Sequence, residues 1–272
     1  MGATAETGTR ELLAVARRAT DAGAEVAGDW FHRREELRVE EKAAPDDLVS
    51  EADRSTEQAI RQVLHELCPE DGILGEEDGM SAGDSGVHWL IDPIDGTTNY
   101  LYGRYDWAVS VAAVRSADSR TLAGVVAEPA LGRTAEACLG EGAWSDGRLL
   151  RRQQPVDLER ALVEVNWGRP AQRSLAADLM RALVPRVRDV RRGGSAAAAL
   201  VQVADGRADA YWGPGLQAWD GAAGALIASE AGATVGDLDG STNGDWPSNG
   251  DVLAAPPSLW ESLREILLPV YR

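Results

Sequence analysis

The fold turns on Trp89-Leu90-Ile91-Asp92-Pro93-Ile94-Asp95-Gly96-Thr97-Thr98-Asn99. Its apolar start closes a short run, Val87 to Ile91, that reads as a sheet strand. Two carboxylates follow, three residues apart, with Pro93 restricting the backbone between them and Gly96 turning the chain. Asp92, Asp95 and the Ile94 carbonyl can then converge on one point. Upstream, Gly75-Glu76-Glu77-Asp78 offers a further oxygen, that of Glu76, from a neighbouring loop. Oxygen-only ligands suit a hard cation such as Mg2+, which keeps several waters and bridges to substrate phosphate. A solvated turn at a strand end also looks like an isolated Asp-x-x-Asp pair, so the surroundings must decide.

Working outward, Asp47-Leu48-Val49-Ser50-Glu51-Ala52-Asp53 precedes this stretch, and Trp219-Asp220-Gly221-Ala222-Ala223-Gly224 opens a helix downstream. In order and spacing these segments resemble the inositol monophosphatase family over roughly Lys42 to Thr234. The resemblance implies a layered α-β-α-β-α sandwich of the α/β class, with an antiparallel-sheet first lobe (residues 1–150) and a mixed-sheet second lobe (151–272). It also implies two or three Mg2+ per site, one held by Glu76, Asp92 and the Ile94 carbonyl and another by Asp92, Asp95 and Asp220. Thr97 paired with Asp53 would orient and deprotonate the attacking water, with Glu76 assisting, and Lys42 matches a family lysine near the site. Hydrolysis of a small phosphorylated polyol or sugar, sensitivity to Li+ and a homodimer complete the expectation. Relatives acting on histidinol phosphate, fructose 1,6-bisphosphate or an adenosine bisphosphate share the motifs, and an inactive regulatory module could keep the fold.

Elementary electrostatics points the same way. Asp53, Glu76, Asp92, Asp95 and Asp220 gathered in one cleft would repel strongly unless cations or protons neutralise them. For a phosphate, Gly96, Thr97 and Thr98 offer backbone N–H groups after the turn, and Gly194, Ser195 and Ala196 stand where a helix should begin. Ser195 reads equally well as a helix cap. The substrate contacts expected are therefore Asp95, Gly96, Thr97, Thr98, Gly194, Ser195, Ala196, Gly213 and Asp220. Two positions depart from the family pattern. Gly213 stands seven residues before Asp220, where a glutamate is usual, and Asp106 stands where an apolar residue is common. Without that glutamate, myo-inositol 1-phosphate is expected to be accepted without being the best substrate.

The chain has 272 residues, and 27 Lys+Arg against 44 Asp+Glu give a formal charge of −17. So acidic a chain lacks the cationic surface that a nucleic-acid backbone or an anionic membrane requires. Neither a secretory leader pattern nor a long apolar span is evident, which predicts a cytoplasmic protein. Cys68 and Cys138 have no CxxC spacing and read as reduced thiols, and His32, His65 and His88 lack the spacing of a metal pair. Gly79-Met80-Ser81-Ala82-Gly83 matches a nucleophile elbow, but no strand run precedes it and no helical pattern follows. Apolar spacing predicts helices over about 10–36, 50–67, 171–183, 195–204 and 220–231 and after Pro257, with strands near 87–91, 107, 122, 161–166, 187–191 and 208–212. Asp237–Gly250 reads as a surface loop, and most of the nine tryptophans as core, with Trp212 and Trp219 near the site as the candidate exceptions.

Overall fold

The computed structural model of the chain describes residues 8–41, 48–151, 156–168, 172–240 and 249–271. Helix α1 (Thr9–His32) is followed by a ribbon of β1 (Val39–Glu41) and β2 (Leu48–Ser50), and then by α2 (Glu51–Leu67). An eight-stranded sheet is built from β3 (Gly72–Gly75), β4 (Gly79–Ser81), β5 (Val87–Asp95), β6 (Ala108–Arg115), β7 (Arg120–Glu128), β8 (Arg133–Cys138), β9 (Gly142–Ser145) and β10 (Arg148–Leu149). The short helix α3 (Thr97–Leu101) leaves the end of β5. Further along, β11 (Leu162–Val165), α4 (Arg173–Leu183), β12 (Asp189–Arg191), α5 (Ala196–Asp205), β13 (Ala210–Gly213), α6 (Ala218–Glu230), β14 (Thr234–Gly236), β15 (Val252–Ala255) and α7 (Pro257–Tyr271) form a five-stranded sheet and its helices.

The layers follow from which faces are apolar. On α1, Leu12, Leu13, Ala16, Ala19 and Ala27 share one buried face, which with Ile60 and Leu64 of α2 covers Trp89, Ile91, Val109, Val111 and Val125 of the large sheet. Against the opposite face of that sheet lie α5 and α6, whose apolar residues are mostly alanine. Small residues are required there, because a Cβ on Gly124 of β7 would stand 2.8 Å from the Ala223 Cα of α6, and one on Gly224 would stand 2.8 Å from the Leu200 Cβ of α5. The second sheet packs on the far side of α5 and α6 through Tyr211, Val235, Val252 and Ala254, and its outer face is covered by α4 and α7. The result is the layered α-β-α-β-α sandwich.

Two strand expectations are corrected. The large sheet is not wholly antiparallel, since β3 and β5 run parallel. β4 folds outward to the sheet edge, so the chain passes back beyond β3 and enters β5 in the same direction. Gly79-Met80-Ser81, the hydrolase decoy, is that edge strand itself. Trp89 and Trp107 are fully buried, as expected of core tryptophans, Trp212 is fully buried although the sequence reading sets it apart from the core, and both cysteines are free thiols. The predicted first helix is shorter than expected, ending at His32 with a single 3-10 turn beyond it. Among the described residues no helix is long and apolar enough to cross a membrane.

Candidate active site

The sequence reading ends its strand at Ile91, whereas β5 continues to Asp95 through a bulge. Asp92 faces Ser110 across the ladder and Asp95 faces Ala108, so three steps on β5 match two on β6. In a regular strand residues three apart point to opposite faces. The extra residue of the bulge brings Asp92 and Asp95 to the same side, and it also accommodates Pro93, which has no N–H for a ladder. Gly96, with φ at +97°, then turns the chain into α3.

Other elements deliver the remaining acids. At the start of α2, Ser50 and Asp53 form a reciprocal cap in which Asp53 Oδ2 accepts the Ser50 N–H at 2.8 Å and the Ser50 hydroxyl at 2.7 Å. The Thr97 hydroxyl lies 3.2 Å from Asp53 Oδ1 and 3.1 Å from the Ile94 carbonyl, either of which can accept its single proton. Asp220 is the third residue of α6, with Oδ2 accepting the Gln217 N–H at 2.8 Å. Glu76 follows β3 directly, and its N–H donates to the Ile91 carbonyl at 3.2 Å, one residue before Asp92. Glu76, Thr97, Asp53, Asp92, Asp95 and Asp220 thus converge from α2, the end of β3, β5, α3 and α6. Lys42 lies outside the described residues.

Burial and mutual repulsion shape the ionisation here. The Asp92 carboxyl is pushed well above the usual carboxylate range by burial first, and then by Glu76, Asp95, Asp220 and Asp53, all of them acids. Burial also raises Asp95 to about 7, against the downward pull of hydrogen bonds from Ser195 and Ala197. Asp53 is raised to about 6, again by burial foremost, while its Ser50 bonds oppose the rise. Among the described residues no three acids already form a finished metal cage. One oxygen of each of Asp92, Asp95 and Asp220 is turned toward a local N–H or O–H donor instead. The donor set nonetheless fits a hard divalent cation: it is all oxygen and acidic, with Asp92 and Asp95 buried and Glu76 and Asp220 half-buried at its edge.

The expected phosphate contacts divide. Gly96 and Thr97 border the acids, and Thr98 is exposed beside them. Ser195 does cap α5, accepting the Ala198 N–H at 3.1 Å, but its hydroxyl and the Ala197 N–H both donate to Asp95 Oδ2, at 2.7 and 2.6 Å. The anion at this helix start is therefore Asp95 itself. Gly194, with φ at +100°, brings its backbone to the Asn99 amide, whose Nδ2 donates to the carbonyls of Gly193 and Asp106 at 2.6 Å each. Ala196 is buried in the first turn of α5, and Asp106 is half-exposed and paired with Arg104 at 2.9 Å. Gly213 ends β13, where a Cβ would stand 2.2 Å from the Tyr211 hydroxyl.

The match of the inositol monophosphatase family model extends over residues 9–269. The chain belongs to the inositol monophosphatase family. It is 43% identical to the inositol-1-monophosphatase of Mycobacterium leprae over 235 residues, which are 83% of this chain and 79% of the relative. It is 35% identical to a Pasteurella multocida protein named Nus factor SuhB, covering 94% of each chain. Among solved structures, the extragenic suppressor protein suhB of Bartonella henselae superposes with a TM-score of 0.88 at 31% identity, covering 94% of this chain and 98% of that one.

As a family member the chain shares its architecture with phosphatases, and that supports reading the acidic cleft as the reaction centre. Sequence reasoning missed three supporting side chains: Glu57, Asn99 and Tyr211. A buried acid at Glu57 could have been suspected, since it stands one turn beyond Asp53 on the same face of α2. Nothing local marks Asn99, whose partner at Gly193 is 94 residues away.

Proposed function

We propose that this protein is a Mg2+-dependent phosphomonoesterase acting on a small phosphorylated polyol, sugar or related alcohol. The observation that carries the reading is the group of mutually repelling carboxylates around Asp92, of which Asp53, Asp92 and Asp95 are buried, bordered by the Thr97–Asp53 pair. Glu76, Asp92, Asp95, Asp220 and the Ile94 carbonyl would hold the cations. When bound, Mg2+ supplies charge neutralisation at the phosphoryl oxygens and lowers the pKa of a coordinated water. Thr97 orients the water, passing its own proton to Asp53 Oδ1 as it accepts one. Asp53 is suited to that exchange because burial lifts it toward neutral pH. Ser50 holds the receiving carboxylate still.

The charge of −17 supports a small metabolite as partner in preference to a nucleic acid. Gly213 in place of an acidic side chain supports a substrate other than myo-inositol 1-phosphate as the best one, with histidinol phosphate, fructose 1,6-bisphosphate and adenosine bisphosphates as candidates. Following the same family resemblance, the protein is proposed to work as a cytoplasmic homodimer inhibited by Li+. The test is phosphate release from a panel of phosphomonoesters with Mg2+ and with a chelator. Release confined to the Mg2+ arm is expected, and equal rates in both arms, or none in either, would overturn the reading.

A further inference from the structure

We propose that Glu57, together with Arg61, is a positioning device that sets the Glu76 loop against Asp92 and so tunes the affinity of the site for its divalent cation. The inference rests on the metal-dependent reading above. Glu57 is a carboxylate with no exposed surface, placed in the middle of a helix. A buried charge of that kind is costly unless fully paired. Here Oε2 accepts the Glu77 N–H at 2.8 Å, Oε1 accepts the Asp78 N–H at 3.1 Å, and Arg61 Nε donates to Oε1 at 2.7 Å. The two N–H groups belong to the turn between β3 and β4, directly after Glu76.

Arg61 closes the device from the other side. Its guanidinium donates to the Gly79 carbonyl and reaches the Ser81 hydroxyl at 3.4 Å, both on β4. The turn is thus gripped at its N–H groups by one side chain of α2 and at its outgoing strand by the next side chain on the same face. The Glu76 N–H is fixed separately to the Ile91 carbonyl. Gly75 shows how close the fit is: a Cβ there would lie 2.1 Å from Glu57 Oε1. Only a glycine lets the carboxylate reach past the strand end.

The same helix carries Asp53, four residues and about 6 Å of rise before Glu57. Asp53 holds Thr97, and Glu57 holds the loop of Glu76. One rigid helix therefore sets the spacing between the water-orienting pair and a metal ligand, although Glu57 touches neither substrate nor cation. Groups that orient ligands in this way typically govern metal affinity by about 10–100-fold.

The test is calorimetric titration of Mg2+ into the intact protein, read beside kcat, KM and the circular dichroism melt. Glu57→Gln keeps the shape but sets an amide against N–H and guanidinium donors. Its Mg2+ dissociation constant should rise about tenfold, while kcat at saturating Mg2+ stays within about threefold of the parent. Arg61→Lys keeps the charge and loses the fork, and should shift Mg2+ affinity in the same direction by a smaller factor, on the order of threefold. A folded Glu57→Gln that binds Mg2+ within about twofold of the parent overturns the inference, even if it melts earlier, because that is the signature of a merely structural role. If Glu57→Gln does not fold, unchanged Mg2+ affinity in Arg61→Lys overturns it. A parent protein that binds no Mg2+ refutes the metal-dependent function instead.

Discussion

Installing the missing acid by Gly213→Glu tests how specificity is built. From sequence alone the change looks like a simple gain of a hydroxyl acceptor, but a Cβ at this position would stand 2.2 Å from the Tyr211 hydroxyl, 2.8 Å from its ring carbon Cζ and 3.3 Å from the Asn166 Cβ. Tyr211 is fully buried among Ala196, Leu200, Val203 and Leu216, so its ring has no solvent-side position to take. Overpacking of this kind costs about 1–3 kcal/mol. The added carboxylate also enters a region where burial first, and then Asp95, Asp220 and Glu164, already raise the Tyr211 pKa, so the upper half of that range is expected. At about 2–4 °C per kcal/mol for a chain of this size, the melting temperature should fall by roughly 4–12 °C. The assay is a double-mutant cycle with Tyr211→Leu, followed by thermal melts and kcat/KM on myo-inositol 1-phosphate and a sugar phosphate. Tyr211→Leu should recover part of the loss, with a coupling of about 1 kcal/mol or more, and only the double variant should gain roughly tenfold for inositol 1-phosphate over the sugar. A Gly213→Glu protein that melts with the parent, or an additive cycle, refutes the argument that Tyr211 occupies the place of the absent side chain.

Three further outcomes are expected. Asp95→Asn should abolish Mg2+-dependent phosphate release, and retained release at low Mg2+ refutes its role as a ligand. Thr97→Ala should lower kcat by about 100-fold or more with KM nearly unchanged, and a change in KM alone would make Thr97 a substrate contact. The chelated protein should lose stability as pH rises from 5.5 to 8, because burial lifts Asp53 to about 6 and Asp95 to about 7, so the folded state binds more protons than the unfolded one across that window. His88, lowered by burial, acts in the opposite sense only toward the acid end, so a melting temperature that is flat or rising between pH 6.5 and 8 refutes the assignment.

Where the chemistry depends on neighbours in sequence, the site was legible. Ser50 and Asp53 cap the same helix, and Asp92, Asp95 and Thr97 share one strand and its turn, so a single local conformation presents them together. The bulge at Pro93 was not legible, because whether a proline ends a strand or is absorbed into it depends on the partner strand. The parallel pairing of β3 with β5 was likewise hidden, since β4 looks like a polar loop until the sheet edge is there to receive it. Trp89 and Trp107 were legible as core because their bulk leaves few other places for them, whereas Trp212, set apart for its nearness to the site, is core as well.

Long-range pairing decides the remainder, and it changes the role of residues that sequence alone had assigned. Ser195 and Asp95 are 100 residues apart, yet the start of α5 directs a hydroxyl and an N–H onto one oxygen of Asp95. A helix start that looks ready for a phosphate is thus committed to holding an acid of the site. Two charged-group hydrogen bonds, each worth about 1.5–3 kcal/mol, oppose the burial that lifts the Asp95 pKa and keep its carboxylate in place. On the proposed function, phosphate recognition would then draw on the turn at Gly96 and Thr97 and on the cations the acids are suited to hold. That is the division of labour expected of a cleft in which anionic side chains have to approach an anionic substrate.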